Sequence, residues 1–216
     1  MARKAAGKPP KEDRPQRLVI GLSGASGVAC GIRLLEACRD LGLQSHLVMT
    51  KPAEMTIGYE TDLTPRQVAA RADHTYAITD IAAPIASGSF RTQGMIVAPC
   101  SVRTMSEIAT GVTTSLLTRA ADVMLKERRP LVLMVRETPL HLGHLRTMTQ
   151  LAEMGAIIMP PVPSFYTRPA SINDMVDQMV GRALDFFGYE WPDVRRWGED
   201  IAKSRRGQNR GKKNTP

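Results

Sequence analysis

The sequence predicts a single doubly wound α/β domain built on a parallel sheet. Short apolar runs alternate along the chain with amphipathic helical patterns, and this alternation is typical of such folds. Several of the runs are continuous in Val, Ile and Leu, as in parallel strands that are covered on both faces. A chain of 216 residues without an internal repeat suits one domain with a full core.

The periodicity predicts five strands and five main helices. The strands are Leu18–Leu22, Ser45–Met49, Gly94–Ala98, Pro130–Val135 and Ala156–Met159. The helices cover residues 27–41, 103–110, 114–127, 141–154 and 172–187. The last has the clearest pattern, with an apolar stripe from Ile172 to Phe187 and a capping box at Ser171 and Asp174. Residues 51–93 are less regular and predict only a short helix after Thr64-Pro65.

The composition excludes several classes of protein. Hydrophobic residues at 43% and charged residues at 23% are values of a globular domain, not of a disordered or fibrous chain. No apolar run approaches the roughly 20 residues that span a bilayer, so we expect a soluble protein without membrane contact. The first residues include no apolar segment, so no signal peptide is expected. Three cysteines without a CxxC pair favour a reducing, cytoplasmic compartment and argue against a zinc site or disulfides.

The net charge of +8 belongs to the two ends of the chain. Residues 1–16 have a net charge of +3 and residues 199–216 one of +4, which leaves +1 for the rest. We therefore expect disordered basic tails at 1–16 and 200–216 around a folded domain at 17–199. Basic tails can bind nucleic acid through counterion release. Since these tails have no interleaved aromatic residues or recognition motif, solvated tails without a nucleic-acid partner are favoured.

The strand ends contain the candidate ligand residues, because ligands of open α/β sheets bind beyond the carboxyl ends of the strands. Ser23-Gly24-Ala25-Ser26-Gly27 follows the first strand and opens a helix, whose N-terminal N–H groups can receive a phosphate. The GxGxxG and GxxxxGK[ST] fingerprints are absent. A tight turn without a ligand therefore stays open as the alternative at this position.

Further hydroxyls, glycines and charges occur at the other strand ends. They lie in Thr50-Lys51, in Ala86-Ser87-Gly88-Ser89, in Pro99-Cys100-Ser101-Val102-Arg103-Thr104, and in Val135-Arg136-Glu137-Thr138-Pro139. Their convergence on one edge favours a phosphate-bearing nucleotide such as FMN over an unliganded scaffold.

Charged and titratable residues elsewhere leave alternatives open. Arg119 and Lys126 lie seven residues apart on one helix face, which is either a solvated surface, an anion site or a subunit interface. His141 and His144 have i, i+3 spacing, but no third ligand is near, so no metal is expected. Cys100 has no supporting His–Asp constellation and is interpreted as a small buried residue.

Taken together, several segments resemble the flavin prenyltransferases, the UbiX-type family that includes the small subunits associated with phenolic-acid decarboxylases. The matching stretches are SGASG at 23–27, ASGS at 86–89, PCSVRTMSEIATG at 99–111, RAADVMLKERRPLVLMVRETP at 119–139, PPVPSFYTRP at 160–169 and RRWGE at 195–199. The resemblance covers roughly residues 17–199, and the stretch that begins at Arg119 is its most specific part.

The resemblance implies a flavodoxin-like, Rossmann-like domain that binds reduced FMN as a substrate. Such enzymes transfer a dimethylallyl group from dimethylallyl phosphate to N5 and C6 of the flavin without a metal. The prenylated FMN then serves a partner decarboxylase of the UbiD type. The resemblance also implies a homo-oligomer, a dodecamer, with active sites between subunits.

Family positions map onto individual residues of this chain. The implied FMN contacts are Gly24, Ala25, Ser26, Thr50, Ser101, Val102, Arg103, Thr104 and Arg136. The implied substrate contacts are Ser87, Gly88, Arg119, Lys126, Glu137, Tyr166 and Arg182. The implied catalytic set is Ser26, Glu137, Lys126, Arg119 and Trp197. The cations and Tyr166 would assist phosphate departure, Ser26 and Glu137 would move protons near N5, and Trp197 would stabilise allylic cation character.

Two other functions remain as alternatives. One is an FMN-dependent decarboxylase of the flavodoxin-like cysteine decarboxylase type, which relies on a histidine in the first helix region. This chain has no histidine between Gly24 and Leu43. The other is a non-catalytic flavin-binding accessory subunit, against which the charged set of Arg119, Lys126 and Glu137 argues. Whether the donor is a phosphate or a diphosphate stays open.

Overall fold

A computed structural model describes residues 15–192 and 194–201 of the chain. The strands are β1 (Arg17–Leu22), β2 (Gln44–Met49), β3 (His74–Tyr76), β4 (Gly94–Cys100), β5 (Leu131–Val135) and β6 (Ile157–Ile158). The helices are α1 (Val28–Asp40), α2 (Lys51–Glu60), α3 (Pro65–Ala69), α4 (Val102–Ala109), α5 (Leu116–Lys126), α6 (Leu142–Glu153) and α7 (Ile172–Asp185). Two 3₁₀ turns cover Pro84–Ala86 and Phe165–Thr167.

The six strands form one parallel sheet in the order β3-β2-β1-β4-β5-β6. The five strands predicted from the sequence have the flavodoxin order 2-1-3-4-5 when numbered among themselves. The short β3 adds a sixth strand beside β2 at the edge. The change of direction lies between β1 and β4, which pair with each other. The predicted doubly wound α/β fold is thus confirmed.

Both faces of the sheet are covered, which explains the continuous apolar strands. Every residue of β4 and β5 is buried. One core contains Leu34 and Leu35 of α1 together with Leu184 of α7. The other contains Leu117 and Met124 of α5. At roughly 1.5–3 kcal/mol for each large side chain removed from water, this two-sided burial is the main stabilising contribution.

The segment with the weakest sequence pattern contains the elements that were missed. Helix α2 buries only Ala53 and Ile57, so its apolar stripe is too narrow to detect. Strand β3 has three residues and two of them are exposed. The short helix after Thr64 is confirmed as α3, with a complete capping box between Thr64 and Gln67.

Helix α7 differs from its prediction in two details. Ile172 is 77% exposed and therefore does not belong to the buried stripe. The Ser171 hydroxyl caps the helix as expected, accepting from the Asp174 N–H at 3.1 Å. The Asp174 carboxylate, however, accepts from the Ala170 N–H at 2.8 Å, so the capping box is shifted by one residue.

The predicted tails lie almost entirely outside the described residues. Gln16 is described, and its carbonyl accepts from the Gln44 N–H at 2.9 Å, continuing the β1–β2 ladder. Within residues 15–192 and 194–201, no helix combines the length and the apolar character needed to cross a membrane.

Candidate functional site

Ser23 joins the carboxyl ends of the two strands at which the strand order changes direction. Its N–H and its hydroxyl both donate to the Pro99 carbonyl, at 3.1 and 3.0 Å. Its Oγ also accepts from the Ser101 N–H at 2.7 Å. Because ligands of open α/β sheets lie in the crevice at this switch point, Ser23 fixes the floor of the candidate site.

The turn after β1 contains three of the residues predicted to contact FMN. A Cβ at Gly24 would overlap the Pro52 ring, so a glycine is needed where this turn packs against the start of α2. Ala25 and Ser26 complete the turn, and Ser26 is exposed. Among the described residues, the N–H groups of Gly24 and Ser26 have no acceptor. This arrangement lets a ligand approach the peptide groups of the turn directly.

The N-terminus of α1 is not free for a phosphate, contrary to the expectation from the sequence. The carboxylate of Glu60, the last residue of α2, accepts from the Gly27 N–H at 2.9 Å and from the Val28 N–H at 3.0 Å. A carboxylate at this position satisfies the same donors and the same helix dipole that a phosphate would. While Glu60 holds these donors, they are not available to a phosphate.

Two other helices begin at the same edge and offer phosphate donors. Thr50 caps α2 and Ser101 caps α4, and each hydroxyl accepts at 3.2 Å from the N–H three residues later. In α4 that donor is Thr104, whose own hydroxyl accepts from Ser101 at 3.1 Å. The first-turn N–H groups of Val102 and Arg103 have no intrahelical acceptor. The predicted residues 101–104 and Thr50 therefore form a set of donors and hydroxyls suited to a phosphate.

The charged residues at this edge differ in whether their side chains or only their backbones face the candidate site. Arg103 directs its guanidinium along α4 to Glu107 at 2.9 Å, so it faces the site through its backbone only. The Arg136 N–H donates to the Cys100 carbonyl at 3.0 Å and continues the pairing of β4 with β5. Glu137 follows, and its carboxylate accepts from the Thr138 N–H at 2.9 Å. Arg136 and Glu137 thus lie beyond the end of β5, beside the switch point.

Arg119 and Lys126 occupy the outward face of α5, as the sequence predicts. Arg119 donates to the Ala86 carbonyl at 3.2 Å and pairs with Asp122 at 2.7 Å. Lys126 pairs with the Glu127 carboxylate at 2.6 Å. The hydrogen bond and the charge of Lys126 lower the pKa of Glu127, which favours the carboxylate form of Glu127.

The loop at Ser87–Phe90 lies directly against the end of α5. A Cβ at Gly88 would overlap the Glu127 carboxylate and lie 2.9 Å from Lys126 Nζ. The hydroxyls of Ser87 and Ser89 are 2.9 Å apart, and both side chains are exposed. The structure therefore brings the predicted substrate residues Ser87, Gly88 and Lys126 together on one surface, which the Glu127 carboxylate shares.

This surface lies at the opposite edge of the sheet from the FMN residues. Helix α5 ends at Lys126, close to the start of β5 at Leu131, whereas Arg136 and Glu137 follow the end of that strand. The neighbouring strand β4 covers Gly94–Cys100, which corresponds to a length of about 20 Å. A single protomer consequently separates Lys126 from Glu137 by most of the sheet.

Tyr166, Trp197 and Arg182 form a third group near the end of the described chain. Tyr166 and Trp197 meet edge to face with ring centroids 5.6 Å apart. Trp197 is 70% exposed. Arg182 pairs with Asp185, which also accepts from Arg196 at 2.8 and 3.0 Å. The segment after α7 is thus held against that helix through Arg196 and places the exposed Trp197 against Tyr166 of the Phe165–Thr167 turn.

The surroundings of Cys100 and of the pair His141 and His144 favour a structural role for these residues. Burial raises the pKa of the Cys100 thiol to about 12, so a thiolate nucleophile is not available at neutral pH. His141 and His144 stack with ring centroids 3.6 Å apart. In the part of the chain that the structure describes, no group of three or more His, Cys, Asp or Glu side chains is arranged to hold a metal ion.

Four residues at these edges were not predicted from the sequence: Glu60, Asp122, Glu127 and Arg129. Asp122 and Glu127 belong to the stretch RAADVMLKERR, and their alternation with basic residues was a usable signal of ion pairing. Glu60 had no such signal, because α2 itself was not predicted and its contact with Gly27 spans 33 positions of the chain.

The comparisons with known proteins agree with this fold. The sequence model of the flavoprotein family matches residues 6–184. A crystal structure of AnUbiX in complex with FMN and dimethylallyl pyrophosphate is 52% identical, with a TM-score of 0.85 over 86% of this chain and 98% of that one. A dodecameric FMN-dependent UbiX-like decarboxylase from Escherichia coli O157:H7 is 48% identical, with a TM-score of 0.82 over 84% and 99% of the two chains.

The comparisons also separate the prenyltransferases from the alternative decarboxylases. The FMN-dependent cysteine decarboxylase SpaF is 19% identical with a TM-score of 0.56, a likeness of fold alone. The flavin prenyltransferase UbiX of Escherichia coli (strain K12) is 58% identical over 179 residues, which cover 82% of this chain and 95% of that relative. With this identity over most of its length, the chain belongs to the UbiX-type flavin prenyltransferase family.

Proposed function

We propose that the protein transfers a dimethylallyl group from dimethylallyl phosphate to N5 and C6 of reduced FMN and so makes prenylated FMN. The observation that carries the proposal is that donors and cations suited to anions lie at two separate edges of the sheet. One offers hydroxyls and N–H groups at Thr50 and residues 101–104. The other offers Lys126 and Arg119 beside the Ser87–Gly88 loop. A reaction that bonds the ring of one phosphate-bearing substrate to the prenyl group of another, with release of the prenyl phosphate, needs both.

The FMN edge has the features that a flavin mononucleotide requires. The Gly24–Ser26 turn exposes peptide groups for the ring system, and the N-termini of α2 and α4 supply donors for the phosphate. Arg136 adds a cation at the end of β5. Reduced FMN supplies the nucleophilic flavin ring, and the protein holds it in place.

On the donor edge, the charges act on the leaving phosphate. Lys126 and Arg119 stabilise the negative charge that develops on the phosphate as the allylic C–O bond breaks. Ser87, Gly88, Tyr166 and Arg182 would orient the phosphate so that the prenyl carbon faces the flavin. Glu137, beyond the end of β5, and Ser26, in the turn after β1, are the proposed proton carriers near N5. The π face of Trp197 would stabilise the positive charge that develops on the allylic group as its C–O bond breaks.

The two edges form one site only if copies of the chain associate. We therefore propose a homo-oligomer, a dodecamer, in which the FMN edge of one copy meets the α5 edge of another. Exposed apolar side chains on several elements support burial by neighbouring copies, since they include Tyr59 at 86%, Phe165 at 71% and Trp197 at 70% exposure. A solvated surface on α5 is then the less favoured interpretation.

Prenylated FMN, the product of the proposed reaction, must be used by another enzyme. We propose that prenylated FMN is delivered to a decarboxylase of the UbiD type and that the protein acts in the cytoplasm. The three cysteines are free and buried, which suits a reducing compartment. Neither nucleic acid nor a membrane is a proposed partner.

The test is mass spectrometry of the flavin after anaerobic incubation with reduced FMN and a prenyl donor. We expect a flavin heavier by one prenyl unit with dimethylallyl phosphate, and a parallel reaction with the diphosphate decides between the two donors. Recovery of unmodified FMN with both donors would contradict the proposal. A decarboxylated aromatic or cysteine-containing substrate without flavin modification would support the alternative decarboxylase instead.

A further inference from the structure

Arg129 forms a clamp on the loop at Ser87–Phe90. Its Nη1 donates to the Phe90 carbonyl at 2.7 Å, and its Nη2 donates to the Gly88 carbonyl at 2.5 Å. A longer contact of 3.4 Å joins Nη1 to the Thr92 hydroxyl. The side chain is only 17% exposed. A planar guanidinium that forks onto two peptide carbonyls holds the loop in one conformation.

The clamp determines which way the loop presents its polar groups. Arg119 takes the Ala86 carbonyl, and Arg129 takes the carbonyls of Gly88 and Phe90, so three alternate carbonyls are bound to arginines. Among the described residues, the Gly88 N–H has no acceptor, and the Ser87 and Ser89 hydroxyls are exposed. The carbonyls of residues 86, 88 and 90 thus point toward the arginines, and the Gly88 N–H together with the exposed Ser87 and Ser89 hydroxyls faces the side of the loop next to Lys126.

We propose that Arg129 is a positioning residue for the prenyl donor: it holds the Ser87–Phe90 loop so that the loop and Lys126 bind the donor phosphate. The inference rests on the proposed prenyl transfer. Arg129 acts through the loop, since its fork is used on the Gly88 and Phe90 carbonyls and its Nη2 also lies 4.0 Å from the Glu127 carboxylate. Its loss therefore weakens donor binding while FMN binding, at the opposite edge, is unaffected.

The experiment compares Arg129→Met with Arg128→Met. Arg128 is the adjacent arginine, exposed and without a described hydrogen bond through its side chain, so it controls for the loss of one positive charge. We expect Arg129→Met to raise the KM for dimethylallyl phosphate by about tenfold or more, as loss of charged hydrogen bonds implies. The Kd for FMN should not change, and Arg128→Met should match the wild type in both.

Arg129→Lys distinguishes the fork from the charge. Lysine keeps the positive charge but cannot hold two carbonyls at once, so its KM should stay clearly above that of the wild type. Full recovery by Arg129→Lys would overturn the proposal. So would a KM for Arg129→Met equal to that for Arg128→Met, or a parallel loss of FMN binding and thermal stability.

Hydrogen exchange of residues 84–92 tests the clamp without any catalysis. We expect faster exchange there in Arg129→Met, and protection by inorganic phosphate in the wild type but not in the variant. Where Arg129→Met does not fold, Arg129→Gln replaces it, because its amide keeps one donor. If the wild type makes no prenylated flavin, the proposed function fails, but the exchange result still decides whether Arg129 orders an anion-binding loop. Unchanged exchange would overturn the inference in either case.

Discussion

Glu60 closes the N-terminus of helix α1 by accepting hydrogen bonds from the Gly27 N–H at 2.9 and 3.1 Å. The contact links the end of α2 to the turn that holds the predicted flavin residues. It places the Glu60 carboxylate next to Ser26, where the sequence predicts a phosphate. The Glu60 carboxylate therefore determines which helix N-termini at this edge are available to a phosphate.

Replacing Glu60 tests where the FMN phosphate binds. Glu60→Ala should lower the free energy of unfolding by about 1 kcal/mol, because the first turn of α1 loses its capping acceptor. FMN affinity, measured by fluorescence titration, should stay the same or fall if the phosphate binds, as proposed, at the N-termini of α2 and α4. Asp62→Ala is the control, because Asp62 is exposed nearby. Tighter FMN binding in Glu60→Ala would show that the phosphate competes for the α1 terminus.

Glu137 is expected to act in chemistry more than in binding. Glu137→Gln should slow adduct formation by about 100-fold or more in single-turnover experiments, which is the usual effect of losing an acid–base group. FMN retention should be unchanged, because the amide preserves the size of the side chain. Glu153→Gln, at the exposed end of α6, is the matched control. A single-turnover rate for Glu137→Gln close to that of the wild type would remove Glu137 from the mechanism.

His46 should make the stability of the protein depend on pH. Burial lowers its pKa to about 4, and the positive charges of His74 and Arg17 add to the effect. The ring is 2% exposed, and its Nδ1 is 2.8 Å from the Tyr76 hydroxyl. The unfolded chain therefore binds one more proton between pH 6.5 and pH 4, so the stability present above pH 6.5 is lost as the pH falls through this range.

The measurement is chemical unfolding at several pH values. One proton corresponds to a slope of about 1.4 kcal/mol per pH unit in the free energy of unfolding. His46→Gln should remove that part of the slope between pH 6.5 and pH 4, whereas His141→Gln, at an exposed helix terminus, should keep it. Equal slopes in the two variants would contradict the assignment.

Periodicity was enough to predict the fold, whereas the FMN contacts assigned to the strand ends stay a prediction. Strands β1, β2, β4 and β5 were visible because burial on both faces makes them continuously apolar. Helix α2 was not visible, since it buries two side chains and exposes Tyr59 and Met55. The contact of Glu60, the last residue of α2, with the Gly27 N–H could therefore not be predicted either. Long-range pairs of this kind have no local pattern in the sequence.

The relative positions of the predicted site residues could not be derived from spacing either. The sequence places Lys126 and Glu137 eleven positions apart, and both belong to one motif. The intervening strand β5 is extended, so the two residues end at opposite edges of the sheet. Only the three-dimensional arrangement shows that one protomer separates these groups.

The most direct test of a site shared between copies is subunit complementation. Lys126→Ala and Glu137→Gln, each strongly impaired alone, are co-expressed with different tags, and the mixed oligomers are assayed for prenylated FMN. We predict restored activity, with about a quarter of the sites complete under random assembly of copies. Lys126→Ala mixed with Arg119→Ala is the control and should stay inactive, since both changes affect the same edge. A shared site would be contradicted if neither mixture had activity. It would also be contradicted if light scattering showed a fully active monomer, because the site is proposed to form between the FMN edge of one copy and the α5 edge of another.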